Sequence, residues 1–147
     1  MGHGNAYSQG RERDEEINKI KDDKRDPFVH TDKSVACMIS FEDFENVDIR
    51  VGRVQSVEPF PEGRYSTHVL KIDFGEEFGV KKSLAKLAPL YEGPELVGRQ
   101  VVCVVNFPPK QIGPHKSEVL TLGMPDADGN AVLLHPEREV PLGGKLF

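Results

Sequence analysis

The stretch Val47-Asp48-Ile49-Arg50-Val51-Gly52-Arg53-Val54 decides the fold. Its first five residues alternate apolar and polar with a period of two, the mark of a half-buried strand. At Gly52 the phase slips, and the next apolar residues are Val54 and Val57. A glycine at a phase slip predicts a β-bulge there, and bulges bend strands enough to close small barrels. Just upstream, Ser40-Phe41-Glu42-Asp43-Phe44 reads as a capped helical turn. Ser40 can accept from the orphan backbone N–H groups, Asp43 places negative charge in the first turn, and Phe41 and Phe44 share a face.

Working outward, Pro59-Phe60-Pro61-Glu62-Gly63 is a loop. His68 to Phe74 alternates again, with Leu70, Ile72 and Phe74 on one face. Gly75-Glu76-Glu77 turns the chain, and Phe78 to Leu84 reads as the returning strand of a hairpin. Ala85-Lys86-Leu87-Ala88 predicts a short helical turn stopped by Pro89. Gln100 to Asn106 is nearly continuous valine, as expected of a central strand covered on both faces, and Pro108-Pro109 ends it. Val119–Leu122 and Ala131–Leu134 are further short strands, the second entered from the turn Asp126–Asn130. Five or six short strands with one brief helix between the third and fourth predict an all-β fold. The order suits a five-stranded Greek-key barrel of the oligonucleotide/oligosaccharide-binding (OB) type. An SH3-like barrel is the structural rival, and the helix before the valine strand favours the OB reading.

Length and composition bound the function. A chain of 147 residues holds one domain, with room for a tail. Composition shifts near residue 38. Residues 1–37 carry seven Lys/Arg against eight Asp/Glu and few large apolar residues, which predicts a polar, charged, flexible tail. Ile17 and Ile20 make too thin a stripe to anchor a helix there. The folded domain is expected over 38–147, with a C-terminal dimerisation extension. Net charge is −5, from 19 Lys/Arg and 24 Asp/Glu, which excludes a protein that coats nucleic acid by bulk charge. Any nucleic-acid site must be local. Cys37 and Cys103 are too few for a disulfide framework, and Cys103, inside Val-Val-Cys-Val-Val, reads as a buried small hydrophobe. No apolar run approaches the ~20 residues of a membrane span, and no secretory signal opens the chain. A cytoplasmic setting is expected.

Catalytic signatures are lacking. There is no P-loop, no G-x-S-x-G and no His-Glu-x-x-His, so no enzyme activity and no cofactor are expected. The five histidines show no ligand spacing and no cysteine pair completes a zinc site, so no metal is expected. Ser66 and His68 would share a strand face without a carboxylate to orient the histidine. Basic residues say more. Arg50 and Arg53 flank Gly52; Lys81 and Lys82 sit on the hairpin's return strand beside Ser83; Lys86 follows; Lys110 and Lys116 border the Gln-Ile-Gly-Pro loop. Singly each is ordinary surface charge. Together they fall on strands and loops that border one barrel face, where lysines would hold phosphates without reading bases. Asn106, Ser117 and Glu118 could reach base edges or ribose hydroxyls. Asn106 has a competing reading, since an amide at a strand end often satisfies loose backbone groups.

Phe44 to Val54 resembles the opening motif of the tRNA-binding OB domain, which occurs at the C-terminus of some methionyl-tRNA synthetases, in the endothelial-monocyte-activating polypeptide and as the free-standing CsaA family. Val105-Asn106-Phe107-Pro108-Pro109-Lys110, Lys116-Ser117-Glu118-Val119-Leu120, and Ile72-Asp73-Phe74-Gly75 with Gly79-Val80-Lys81-Lys82-Ser83 are most similar to CsaA. The resemblance covers about residues 40–147. It implies an OB fold, a homodimer, binding of structured RNA (tRNA), and for CsaA a role as a chaperone in protein export. Val119-Leu120 stands where the synthetase branch has Gly-Met, which suits the CsaA branch. By position, the implied RNA contacts include Arg50, Arg53, Asn106, Lys110, Ser117 and Glu118. The first helical turn and the C-terminal segment are the implied dimer interface, with Phe41, Phe44, Leu133, Leu134, Leu142 and Leu146 as interface or core. Expected partners are tRNA, a second copy, and either unfolded export substrates or an aminoacyl-tRNA synthetase.

Overall fold

The computed structural model describes residues 37–147, of which Ile39–Phe147 form one compact unit. The expectation for residues 1–37 lies outside the described residues, apart from Cys37.

A helical turn α1 (Phe41–Glu45) opens the unit, followed by β1 (Ile49–Pro59), β2 (His68–Asp73) and β3 (Val80–Ala85). A 3₁₀ turn, η1 (Pro94–Leu96), precedes β4 (Gln100–Val104). Then come β5 (Lys110–Ile112), β6 (His115–Ser117), β7 (Leu120–Thr121), β8 (Gly123–Pro125) and β9 (Ala131–Leu133). Five of these form one antiparallel sheet in the order β3-β2-β1-β4-β7. Its two edges meet. The backbone N–H groups of Glu118 and Val119 donate to Lys82 O, and the hydroxyls of Ser83 and Thr121 lie 2.8 Å apart. The sheet is thereby a nearly closed Greek-key barrel of OB type, as the strand count predicts.

Local chemistry explains the elements. Ser40 and Asp43 form a reciprocal capping box, Asp43 N donating to Ser40 Oγ and Ser40 N to the Asp43 carboxylate. The inward residues Val54, Leu70, Ile72, Phe74, Val101, Cys103 and Val119 fill the barrel, and Leu87 and Leu96 plug its end. A smaller cluster of Phe60, Val69 and Leu84 lies on the outer side, covered by Ile112 of the β5–β6 hairpin. That hairpin was not foreseen, because Gln-Ile-Gly-Pro carries no alternation.

Two expectations are corrected. The bulge falls not at Gly52 but between Val54 and Ser56, where Gln55 has no partner on β2. It is this extra residue that turns both Val54 and Val57 inward, against Ile72 and Leu70. Gly52 answers to packing instead: a Cβ there would collide with Ile72 and with the Phe74 ring. The brief helix also moves. Ala85–Ala88 is not helical, and Pro94–Leu96 supplies the turn between the third and fourth strands. Leu87 and Ala88 are held instead by their backbone N–H groups donating to Thr67 Oγ1. Gly52→Ala is expected to cost about 1–3 kcal/mol by overpacking, read as a lowered urea midpoint at unchanged slope.

Candidate nucleic-acid interface

Side chains on paired residues of neighbouring strands share a sheet face, so register places the charges. Leu70 pairs with Ser83, and both are wholly buried, so this row points inward. The alternate row points outward: Lys71 opposite Lys82, and Val69 opposite Leu84. The β5–β6 hairpin lies on this outer side. Ser117 Oγ accepts from Leu84 N at 3.1 Å, and Ile112 packs on Phe60, Val69 and Leu84. Lys110 pairs with Ser117, so it stands over β3, and Lys116 pairs with Gln111 on the exposed side. Lys71 and Lys82 therefore stand on the outer surface of β2 and β3, and the hairpin beside them carries Lys110 on the face it shares with Ser117 and Lys116 on the opposite face. Lys86 extends the outer surface where Thr67 N donates to Ala85 O. Sequence reasoning missed Lys71; the signal was its alternation with Leu70 and Ile72, readable only once β3 was in register.

Glu118 stands at the edge of β3, where Lys81 pairs with Ile72 on the row alternate to that of Lys71 and Lys82. Its carboxylate accepts from Lys82 N at 3.1 Å and lies 4.0 Å from Lys81 Nζ. It fixes the β3 backbone and partly neutralises Lys81, a half-exposed pair worth at most about 1 kcal/mol. Glu58, paired with Val69, and Glu62 border the outer surface.

Other candidates are spent on the fold. Ser83 is wholly buried with its hydroxyl on Thr121, and the Ser117 hydroxyl accepts from Leu84 N and donates to Val119 O. Both hydroxyls are engaged within the fold. Asn106 accepts from Asp48 N at 3.0 Å and donates to Asn46 O at 2.7 Å, tying the segment after β4 to the link between α1 and β1. The two arginines are not brought to the lysine surface either. Arg50 pairs with Asp48 at 2.9 Å, donates to Gly143 O at 2.8 Å and stacks 4.2 Å from the Phe78 ring centre. Arg53 donates to Gly98 O and pairs with Glu139. Both bind β1 to the loop or C-terminal segment around it, so their charge is satisfied inside the unit.

A cleft of about 470 Å³ opens elsewhere, beside Arg53, Leu96, Arg99, Leu133, His135 and Arg138. Its arginines include two already paired, Arg53 with Glu139 and Arg138 with Glu137. It does not include the lysine surface. Among the described residues no cluster of three metal-ligating side chains occurs, and no helix is long and apolar enough to cross a membrane.

His68 is buried. Its Nδ1 lies 2.8 Å from Thr67 Oγ1 and its Nε2 2.9 Å from Glu92 O, so it staples the loop after β3 and is not placed beside Ser66 as a base. In that loop the Glu95 carboxylate is held below its ordinary pKa by hydrogen bonds from its own backbone N–H and then from Glu92 and Gly93.

Of the residues implied as interface, Phe41 is exposed and its ring centre lies 5.9 Å from that of half-buried Phe44. Leu146 is exposed beside them, since its N–H donates to Ile49 O and Lys145 Nζ reaches Glu45 O. Leu133 packs on the barrel core; Leu134 and Leu142 are half-buried.

Comparisons with known proteins place the fold in a family. A family model described as "Putative tRNA binding domain" matches residues 49–145. The solved structure of chaperone CsaA from Bacillus anthracis is 45% identical, with a TM-score of 0.69, covering 76% of this chain and 100% of that one. CsaA chaperone protein from Picrophilus torridus is 43% identical at the same TM-score, covering 75% and 100%. A methionine–tRNA ligase of Porphyromonas gingivalis is 33% identical over 135 residues, 90% of this chain. The chain spans only 19% of that ligase's length. The chain belongs to the tRNA-binding domain family, as a CsaA-like member.

Cys103 gives a check on the barrel interior. Burial pushes its thiol up to about 12 from 9.0, a hydrogen bond to Thr121 partly opposing. The folded state keeps the proton while the unfolded chain loses it, so stability falls as pH rises from about 9 toward about 12. Cys103→Ala removes this component of the slope. In the native protein a thiol reagent at pH 8 is expected to label Cys37 and leave Cys103 unmodified until denaturant is added.

Proposed function

We propose that this chain is a non-catalytic module that binds tRNA on the outer surface of β2, β3 and the β5–β6 hairpin, and works as a homodimer. The observation that carries the reading is the pairing of Lys71 with Lys82 on the outer face of β2 and β3, with Lys110 and Lys116 on the adjoining hairpin. In OB barrels the face of the second and third strands, with the loops after the first and fourth, is the general site for oligonucleotides. Lysine ammoniums there would neutralise phosphates as point charges, positioning the RNA without reading its sequence. Arg50, Arg53, Asn106, Ser83 and Ser117 act through the fold, by holding the strands and loops that carry the lysines. Lys81, tempered by Glu118, and Lys86 contribute at the margins.

Exposed Ile39, Phe41, Val47, Leu146 and Phe147 support the dimer. The first turn and the C-terminus that bear them are hydrogen-bonded neighbours. Burying such a patch against its symmetric copy would bring two lysine surfaces into one particle and raise avidity without new contacts.

A second reading is a chaperone that binds unfolded polypeptides, supported by the titles of the two CsaA structures and by the same exposed apolar patch. A helper that presents tRNA to a synthetase is a further form of the first reading, supported by the ligase relatives.

Titration with total tRNA across a salt series separates them. Binding is expected to weaken as salt rises. Lys82→Ala and Lys110→Ala each weaken it several-fold and reduce the log–log slope by about 0.7–0.9. Salt-independent binding, or none at low salt, sinks the reading. Suppression of client aggregation that tRNA does not affect favours the chaperone. Phe41→Glu with Leu146→Glu is expected to shift the protein from dimer to monomer on size-exclusion chromatography at micromolar concentration.

A further inference from the structure

The loop from Phe60 to Thr67, between β1 and β2, borders the lysine surface and is fixed in place. Phe60 N donates to Thr67 O at 2.7 Å, and Gly63 N donates to Phe60 O at 3.1 Å. The Phe60 ring is buried against Val69 and Leu84, and its centre lies 5.1 Å from that of His115, edge to face at 89°. The base of the loop is thus packed onto the hairpin that carries Lys110 and Lys116. Gly63 leaves no room for a side chain against Ser66 O and Phe60, so the turn is tight. On this anchored loop Tyr65 is 40% exposed, and the Arg64 guanidinium lies 5.3 Å from its ring centre.

An exposed aromatic ring beside a guanidinium, at the edge of a lysine surface, is a stacking platform. Aromatic rings bind any base through its π-face, and a guanidinium can serve either the ring or a neighbouring phosphate. Bases in a helix already stack on both neighbours and have no free face, whereas bases in loops and ends do. Resting on the tRNA reading above, we infer that Tyr65 and Arg64 form a stacking site for an unpaired base, and that the protein therefore recognises unpaired nucleotides of its RNA rather than the duplex. The lysines hold the phosphates; Tyr65 selects which part of the RNA lies over them.

The chain contains no tryptophan, so Tyr65→Trp introduces a single reporter. Its fluorescence is expected to be quenched by a single-stranded oligonucleotide and by tRNA, and to stay unchanged with a blunt RNA duplex of equal charge. Tyr65→Ala is expected to weaken tRNA binding about ten-fold with its salt slope unchanged, while Tyr65→Phe binds as wild type. Arg64→Ala lowers the slope. Circular dichroism confirms that each variant is folded. If wild type binds tRNA with the expected salt dependence but Tyr65→Ala binds equally well, or duplex quenches as strongly as single strand, the stacking site is overturned and the tRNA reading stands. If wild type binds no RNA, both fall. Quenching by an unfolded polypeptide that tRNA cannot displace would assign the ring to peptide binding and overturn the inference.

Discussion

The closure of the barrel between β3 and the Ser117–Thr121 segment is the constraint on which the rest depends. An open five-stranded sheet would leave a row of unpaired backbone groups on each edge. Here the two edges satisfy one another through Glu118 and Val119 on Lys82, and through the hydroxyls of Ser117, Ser83 and Thr121. Two of those hydroxyls lie on buried serines, in a setting where an unpaired polar group costs about 1–3 kcal/mol. Closure also fixes the hairpin, because Ser117 is both the last residue of β6 and the partner of Leu84. The lysines of the hairpin are placed by the same hydrogen bond that closes the fold.

β1 serves the other side. It is the one strand paired to both β2 and β4, and the bulge at Gln55 lets it change partners while keeping Val54 and Val57 inward. Arg50 and Arg53 lie on its first half, where they gather the C-terminal segment. Arginine suits this work: its planar fork reaches a carboxylate, a carbonyl and an aromatic face together, at modest desolvation cost. The opening motif thus holds the C-terminal segment against β1, which brings Leu146 N to Ile49 O and Lys145 to Glu45 O at the end of α1.

How much of this could be read in the sequence follows from what each feature depends on. The strands His68–Asp73 and Gln100–Val104 were legible because period and β-branching are local properties. The bulge was legible as a phase slip, but its position was not, since Gly52 looked like the cause and was a packing requirement set by Phe74, 22 residues on. The proposed site was legible only as a set of lysines. Which of them share a face depends on register, a pairwise property, so the place of Lys71 opposite Lys82 and the internal partners of Arg50 and Arg53 were not readable from sequence. Ser83 and Ser117 read as ligand contacts because nothing local distinguishes a serine that closes a barrel from one that faces solvent.

The same register resolves the apparent conflict between an acidic chain and an anionic ligand. Glu42, Asp43 and Glu45 ride on α1, and Glu92 and Glu95 on the loop stapled to His68. His68 lies three residues before Lys71, about 10 Å along the strand, and belongs to the inward row. That span is close to a Debye length at physiological salt. Glu118 and Glu58 stand nearer, and the Glu118 carboxylate is half engaged with Lys82 N. A net charge of −5 therefore sets the long-range field without setting the sign at the surface of β2 and β3. On the proposed reading, an excess of acid elsewhere would favour settling of a polyanion where Lys71 and Lys82 stand, so a net-acidic chain and an anionic ligand are compatible.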